Sequence, residues 1–386
     1  MGYFCCGSVL FLLFLVLALR LWPGIIERFA NKVIEKPPYS FDDGVRLVHD
    51  EFFIADMHAD SLLWARDLLK ESRYGHVDLP RLVPGNVGLQ VLGVVTKFTL
   101  GFDPDHHSDA GLDLITFLGW FQGWPRPTWG SLLERALYQA EKLQAFVDQS
   151  QGKLRFIKSK VDLEQFLVDR TNDPTLRGAM LLLEGVHALE EDIGNLDALF
   201  DAGYRFVGLT HFFDNKAGGS SSGKEQYGLT PWGKDLMKAA QDKGMLVDLA
   251  HASEKLIDDV LDNTTAPVIV SHGGIGGVCD YIRNLKDEHI QGVADTGGIV
   301  GAIFYDAMID GPTMEHVAHG IEYIVDNFGV DCAALGSDFD GFIKTPTDVT
   351  GLPLLTQALL DKGIGELEIR KIYGENFLRV LRAVLP

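Results

Sequence analysis

Apolar runs of about five to eight residues alternate with amphipathic stretches from about residue 45 to the end of the chain. Continuous apolar runs of this length are typical of parallel strands that are buried on both faces. The pattern predicts eight strands, at Phe52–Met57, Gly88–Val95, Gly178–Leu183, Arg205–Thr210, Met245–Ala250, Pro267–Ser271, Gly298–Phe304 and Ala333–Ser337.

Helix-like segments separate these runs. The clearest amphipathic stretches are Ser131–Gln149, Trp232–Lys243, Glu254–Asp262, Glu315–Phe328 and Glu366–Val384. Eight strands with intervening helices favour an α/β fold of the (β/α)8 type, a TIM-like barrel. An open doubly wound sheet is the alternative, because a strand count taken from one sequence does not separate the two.

The N-terminus has a different pattern. Residues 2–19 carry no charge, and residues 9–19 are an unbroken apolar run, slightly short of the roughly 20 residues that span a bilayer. We interpret residues 1–24 as a transmembrane or signal-anchor segment, residues 25–40 as a linker and residues 41–386 as the barrel. A cleaved signal peptide is the competing interpretation, but no basic stretch precedes the run and no small-residue cleavage pattern follows it.

Composition narrows the function classes. The formal net charge of −20 repels a polyanion, so we expect no nucleic-acid partner. Four cysteines give neither a disulfide framework nor a CxxC pair, and Cys279 and Cys332 are free or paired with each other. The low-complexity stretch GGSSSG at residues 218–223 suggests a mobile loop over one rim of the barrel or a plain solvated loop.

Potential metal ligands stand at the downstream ends of separate apolar runs. They are His58 and Asp60 in FFIADMHAD, Glu184 in GAMLLLEGVH, His251 in GMLVDLAH and His272 in APVIVSH. A parallel barrel gathers the C-terminal ends of its strands at one rim, so these residues are expected to meet there. A carboxylate such as Glu184 can bridge two cations about 3.5–4 Å apart. Mixed nitrogen and carboxylate ligands favour zinc, with manganese or cobalt as substitutes.

Several longer motifs resemble those of the membrane (renal) dipeptidase family, which belongs to the amidohydrolase superfamily. They are GLTPWGKDLMKAAQDKGMLVDLAHAS, PVIVSHGGIGGVCDYIRN, ALGSDFDG and the closing ENFLRVL, and the resemblance covers roughly residues 45–384. It implies a dipeptidase with two Zn2+ ions. His58, Asp60 and Glu184 would hold one ion, and Glu184, His251 and His272 the other, with a hydroxide between them as the nucleophile.

The resemblance also implies roles for four further residues. His211 and Asp338 are the catalytic candidates, and His211, Arg283, Tyr305 and Asp338 are the substrate-binding candidates. His211 is suited to stabilise an oxyanion, and Asp338 to move a proton or pair with the substrate's α-ammonium. Arg283 offers a fork for the terminal carboxylate, and Tyr305 a further hydrogen bond. The expected partner is therefore a small dipeptide with an L- or D-residue at its C-terminus.

Some features depart from the family pattern. Ala59 stands between the first histidine and aspartate, and Val186 is the second residue after the bridging glutamate. The ligand residues are therefore all present, while the shape of the substrate pocket is not determined by the motifs. Family analogy favours an extracytoplasmic or periplasmic catalytic domain on a single-pass membrane anchor, whereas the basic residues after the apolar segment favour the cytoplasm. A homodimer is one assembly that stays open.

Two rival functions remain at this point. Other amidohydrolase-type metal hydrolases, such as lactonases, phosphotriesterases or deaminases, commonly begin with HxH, and the HAD sequence together with Glu184 argues against them. A non-catalytic, membrane-held binding protein is the second rival, and the intact set of ligands argues against it.

Overall fold

Eight parallel strands close into a barrel in the computed structural model, which describes residues 22–386. In chain order the barrel strands are β1 Ile54–Ala59, β2 Val87–Val95, β3 Arg177–Glu184, β4 Tyr204–Gly208, β5 Leu246–Asp248, β6 Val268–Gly273, β7 Ile299–Ala302 and β8 Ala333–Leu335. Each strand pairs with its neighbours in sequence, and β8 pairs with β1 through Leu335 and Asp56. The barrel prediction is confirmed, and the doubly wound alternative is excluded because the sheet has no open edge between β8 and β1.

Besides the helical residues 22–30, the described part of the chain contains thirteen α-helices between residues 43 and 384. They are α1 Asp43–Asp50, α2 Leu79–Leu82, α3 Leu114–Gln122, α4 Leu132–Gln149, α5 Lys160–Asn172, α6 Asn195–Ala202, α7 Pro231–Asp242, α8 Glu254–Asn263, α9 Asp287–Asp295, α10 Met314–Phe328, α11 Leu352–Asp361, α12 Glu366–Arg370 and α13 Asn376–Val384. A π-helical turn, Lys371–Glu375, joins α12 to α13. The short strands Lys32–Val33, Leu154–Phe156 and Lys344–Thr345 lie outside the barrel.

Alternation along the strands divides the apolar residues into two buried sets. Met57, Met180 and Phe206 belong to one cluster, which continues into α13 through Phe377, whose ring centroid lies 5.9 Å from that of Phe206. The intervening strand residues pack instead with helices, as Val207 does in the cluster that includes α7. Successive side chains of a strand point to opposite faces, so one set fills the barrel and the other holds the helices to it.

The beginning of the chain differs from a plain linker. Residues 22–30 are helical, and Lys32–Val33 pairs in parallel with Lys344–Thr345. Residues 25–40, predicted as a linker, therefore contain regular structure that is hydrogen-bonded to the segment following β8. Most of the predicted anchor, residues 1–21, lies outside the described residues. Within residues 22–386 no helix combines the length and the apolar character needed to cross a bilayer.

Candidate metal centre and active site

The predicted ligands all lie at the C-terminal rim of the barrel. His58 is part of β1 and Asp60 follows it directly, Glu184 is the last residue of β3, and His272 lies in β6. His251 follows β5 and has a left-handed backbone, with φ of 63°. All five side chains are buried. The parallel strand order thus brings together residues that are far apart in the sequence.

The distances between ligand atoms match those expected around a metal ion. His58 Nε2 lies 3.4 Å from Asp60 Oδ1 and 3.7 Å from Glu184 Oε1. His251 Nε2 lies 3.1 Å from Glu184 Oε1 and 3.0 Å from His272 Nε2. Ligand atoms around a tetrahedral zinc with bonds of 2.0–2.1 Å stand roughly 3.3 Å apart. Glu184 Oε1 thus lies within 3.8 Å of a histidine Nε2 from each predicted set, those of His58, His251 and His272.

Two residues predicted for catalysis and substrate binding belong to the same cluster. His211 Nε2 lies 3.5 Å from Glu184 Oε1, and Asp338 Oδ1 lies 4.0 Å from His58 Nε2. Three overlapping groups have ligand atoms that lie within 4.8 Å of one another: His58–Asp60–Glu184, Glu184–His211–His251 and His58–His272–Asp338. The first group is the predicted first set. The second predicted set is close as well, but the geometry places His211 at ligand distance from the same carboxylate.

Several buried polar atoms in this cluster have no hydrogen-bond partner among the described residues. They include both ring nitrogens of His58, Asp60 Oδ1, Glu184 Oε2 and His251 Nδ1. Buried polar atoms are almost always paired in folded proteins, so a concentration of unpaired ones at one rim needs a partner. Imidazole nitrogens and carboxylate oxygens are the ligands that zinc takes in proteins. The residues present therefore fit a metal centre.

The electrostatics separate the ligands into two kinds. Burial raises the pKa of Glu184 well above its usual range, and the neighbouring Asp60 raises it further, while His58 lowers it. Burial lowers the pKa of His58, but the carboxylates of Glu184 and Asp60 outweigh this and bring it to about 10. The carboxylates of Glu184 and Asp60 favour positive charge at this end of the cluster, and a bound divalent cation would supply it.

The other three histidines are held neutral. Burial lowers the pKa of His211, His251 and His272 well below the usual value, and the Arg283 guanidinium lowers each of them further. A neutral imidazole presents the free lone pair that a metal requires. Burial also raises the pKa of Asp338 to about 7, against the lowering effect of His58. A carboxyl group that titrates near neutrality is suited to accept and release protons.

Arg283 and Tyr305 occupy different positions. Arg283 Nη2 lies 3.0 Å from His251 Nε2, and its buried Nε has no partner among the described residues, so the guanidinium reaches the cluster with donors to spare. Tyr305 is half-buried, and its ring meets that of Tyr281 edge-on at 6.3 Å. Burial raises the pKa of Tyr305 to about 12. The structure thus brings Arg283 against the ligands and Tyr305 against the loop that carries Arg283.

Two buried carboxylates below the rim orient the strand ends, and neither was predicted from the sequence. Asp248 accepts hydrogen bonds from the Ser271 amide at 2.8 Å and the Ser271 hydroxyl at 2.6 Å, and that hydroxyl lies 3.0 Å from His272 Nδ1. Asp56 accepts in the same way from the amide and hydroxyl of Ser337, at 2.8 and 2.6 Å. Each carboxylate ties one strand to the next. Their only sequence signal is an aspartate inside an otherwise apolar run.

Gly93 in β2 is a second feature that the prediction missed. A Cβ built at this position would lie 2.4 Å from Asp60 Oδ1 and 2.7 Å from His58 Nε2. The ligands of the first set therefore occupy the space that any other residue at 93 would need. The signal was present, because a glycine inside a strand pattern often marks a close approach.

The GGSSSG stretch lies at the rim, and it is buried, not solvated. Ser220, Ser221 and Ser222 are buried. The Ser220 amide donates to Asp214 Oδ1 at 2.9 Å, and the Ser221 amide donates to the carbonyl oxygen of His251 at 2.9 Å. The prediction of a plain solvated loop is wrong, because these hydrogen bonds hold the buried stretch against the segment that carries His251.

Comparisons with known proteins identify the family of this chain. The model of the family described as "Membrane dipeptidase (Peptidase family M19)" matches residues 43–385. The dipeptidase verJ of Clonostachys rogersoniana is 31% identical over 320 residues, which cover 81% of this chain and 76% of that protein. The chain therefore belongs to the membrane dipeptidase family, and it is an enzyme of the metallo-dipeptidase class.

Two solved structures share the fold. The probable dipeptidase PvdM from Pseudomonas aeruginosa superposes with a TM-score of 0.74 at 18% identity, covering 88% of this chain and 97% of that one. A metallo peptidase from Rhodobacter sphaeroides, bound to a phosphinate mimic of the dipeptide L-Ala-D-Ala, gives a TM-score of 0.69 at 23% identity, covering 86% and 99%. At these identities the similarity bears on the fold alone.

Proposed function

We propose that the protein hydrolyses the peptide bond of free dipeptides with two zinc ions at the rim, His58, Asp60 and Glu184 holding one and Glu184, His251 and His272 the other. The observation that carries the proposal is the placement of two opposite charges beside the ligand cluster. Asp338 lies 4.0 Å from His58 Nε2, and Arg283 lies 3.0 Å from His251 Nε2. An anion beside one ligand and a cation beside another suit a substrate that is charged at both ends.

Bound zinc would supply a water of lowered pKa and would polarise the scissile carbonyl. The chain's own residues do the rest. Asp338 accepts a proton from the attacking water and passes it to the amine nitrogen as the C–N bond breaks. His211, which is neutral and buried, donates a hydrogen bond to the carbonyl oxygen as negative charge develops there. Arg283 binds the terminal carboxylate through the donors that its own chain leaves free.

Residues on the rim also limit access to the centre. The Phe212 ring lies 3.9 Å from that of His211 and 5.0 Å from that of His251, between ring centroids. Phe98 and Phe102 meet Phe212 edge-on at 5.3 and 4.9 Å. These rings exclude water from one side of the histidines, which strengthens charge interactions with the substrate.

The experiment compares free and end-blocked dipeptides on the purified, zinc-loaded full chain. Gly-L-Ala and Gly-D-Ala should be hydrolysed, and the N-acetylated and C-amidated forms should be slower by at least about 100-fold, because each leaves a buried charge without its partner. Arg283→Met should reduce the rate difference between the free and the C-amidated dipeptide. The rate difference between the free and the N-acetylated dipeptide should stay as in the natural chain. Equal rates on free and blocked substrates would overturn the proposal, and turnover of a lactone or phosphotriester instead would favour a different metal hydrolase.

Zinc content is checked in parallel. We expect close to two ions per chain by metal analysis, and Glu184→Ala should lose both because it removes the shared carboxylate. A Glu184→Ala protein that keeps its metal and its rate would contradict the assignment of the bridge.

We propose further that residues 2–19 hold the protein in a membrane, with the catalytic domain on the extracytoplasmic side. The absence of charge in this stretch supports the anchor, and family analogy supports the side. Resistance to alkaline extraction would test retention, and protease accessibility in sealed vesicles or spheroplasts would test the side. A homodimer stays a prediction, for light scattering to test.

A further inference from the structure

The segment after β8 carries Asp338 on an unusual backbone. Asp338, Asp340 and Phe342 have φ values of 60°, 63° and 65°, which is the left-handed region that non-glycine residues rarely adopt. Three such residues at alternate positions cost conformational free energy. Contacts from elsewhere in the molecule must therefore hold the segment in this form. We call residues 338–346 the Asp338 loop.

Asp340 holds the first half of the Asp338 loop in place. It is fully buried, and its carboxylate accepts hydrogen bonds from the Ser61 hydroxyl at 2.5 Å and the His76 amide at 2.6 Å. The same carboxylate pairs with the Arg66 guanidinium, which also pairs with the carboxylate of Glu27. Glu27 is 1% exposed and lies in the helical residues 22–30. A continuous ionic chain thus leads from the N-terminal helix to the Asp338 loop.

A second connection runs through the backbone. Asn31 Oδ1 accepts a hydrogen bond from the Phe342 amide at 2.9 Å. The amides of Lys32 and Ile34 donate to the carbonyl oxygens of Ile343 and Thr345, at 3.1 and 3.0 Å. Residues 31–35 therefore pair with the far half of the Asp338 loop. Glu27 contacts Arg66, which holds the near half through Asp340.

The contacts made by Glu27, Asn31, Lys32 and Ile34 come from outside the part of the chain that the family model describes, whereas Ser61, Arg66 and His76 lie inside it. The match begins at residue 43, and the contacting residues lie between 27 and 35. Residues 27–35 also lie shortly after the apolar stretch at residues 2–19. The catalytic candidate Asp338 is thus fastened to the segment that leads to the predicted anchor.

We propose that residues 27–35 position Asp338 for catalysis, with Glu27 and Asn31 as positioning residues that act through the Asp338 loop. The role given to Asp338 rests on the proposed function. The N-terminal segment is then part of the active enzyme and does more than tether it. Neither residue touches the ligand cluster in the contacts described above, so the effect of removing them is expected in turnover and not in zinc binding.

The test measures kcat, KM and zinc content for Glu27→Ala and Asn31→Ala in the full chain with Gly-L-Ala. We expect kcat to fall about 10-fold in each variant while two zinc ions stay bound, and any rise in KM should be smaller than the fall in kcat. Glu27→Gln keeps an acceptor oxygen for Arg66 and should recover most of the rate. Phe29→Ser is the matched control, because Phe29 lies on the same helix and is 71% exposed.

A double-mutant cycle separates positioning from general damage. If Glu27 acts through Asp338, adding Glu27→Ala to Asp338→Asn should cause little further loss of kcat, whereas two independent effects would multiply. A multiplicative loss, or an unchanged kcat in both single variants, would overturn the proposal. Should Glu27→Ala fail to fold, the same cycle with Asn31→Ala and Asp338→Asn still tests the positioning role.

Amide hydrogen exchange provides a readout that does not depend on the reaction. In zinc-loaded Glu27→Ala and Asn31→Ala, amides of residues 338–346 should exchange faster, and those of β3 should not. Faster exchange with no dipeptide hydrolysis by the natural chain would support the contact and reject the proposed function. Normal exchange in both variants would reject the positioning role whatever the substrate.

Discussion

The carboxylate of Asp60 occupies the space that a side chain at Gly93 would need. The Cα of Gly93 lies so close that an added Cβ would stand 2.4 Å from Asp60 Oδ1, well inside van der Waals contact. The glycine is therefore part of the candidate metal centre, although it contributes no ligand atom.

Gly93→Ala should expel or distort the first set of ligands. We expect the variant to bind about one zinc fewer than the natural chain and to lose at least about 100-fold in kcat, because a displaced Asp60 breaks the ligand geometry. Gly320→Ala is the matched control, since its added Cβ would meet only Ile275 Cγ1, at 3.8 Å. Metal analysis and steady-state kinetics on both proteins check this, and full zinc with full activity in Gly93→Ala would refute it.

The convergence of the candidate ligands at one rim was predictable, because it follows from the order of the strands along the chain. His58, Glu184 and His272 stand at the ends of apolar runs, and any closed parallel barrel collects such ends at one rim. The predicted strand boundaries were also near the observed ones, as for Gly88–Val95 against Val87–Val95.

Other features depend on which atoms meet across the fold, and a single sequence does not contain that. The clash at Gly93 depends on the register of β1 against β2. The link from Glu27 through Arg66 to Asp340 joins residues that are 39 and 274 positions apart. The composition of GGSSSG indicates backbone freedom, but it does not reveal that Asp214 and His251 fix the loop.

If Asp338 transfers a proton, kcat should depend on its ionisable carboxyl group and not on the size of the side chain. Asp338→Asn keeps the size of the side chain but cannot accept a proton, so kcat should fall by roughly 100-fold or more, about 2.7 kcal/mol of activation free energy. Both zinc ions should stay bound. Kinetics and metal analysis on one preparation test this. Loss of metal would reassign Asp338 as a ligand, and unchanged turnover would remove it from catalysis.

The hydrogen-bonded relay behind His272 predicts weaker metal binding when it is cut. Ser271→Ala removes the hydroxyl that links Asp248 to His272 Nδ1, so the imidazole loses the partner that orients it. We expect zinc affinity to fall by about 10- to 100-fold, measured by competition with a chromophoric chelator. Ser150→Ala is the control, because Ser150 lies at the end of α4 and its hydroxyl binds Val147. Equal affinities in the two variants would argue that backbone geometry alone sets the imidazole.

Acid should destabilise the fold through His49, which is not one of the candidate metal ligands. Its ring is buried between Thr356 Oγ1 at 2.7 Å and the carbonyl oxygen of Gly85 at 3.2 Å. Burial lowers the pKa of His49 to about 4. The folded state therefore binds fewer protons than the unfolded state between pH 6.5 and about 4, and stability is lost as the pH falls through this window.

The size of the effect follows from the same two pKa values. Between pH 7.5 and 5.0 the natural chain should lose about 2 kcal/mol more of its unfolding free energy than His49→Gln, which has no proton to take up. Urea unfolding in the presence of a chelator checks this, because the ligand histidines then titrate alike in both proteins. His319→Gln, at an exposed position, should lose as much unfolding free energy on acidification as the natural chain. If His49→Gln loses as much stability on acidification as the natural chain, another buried group is responsible.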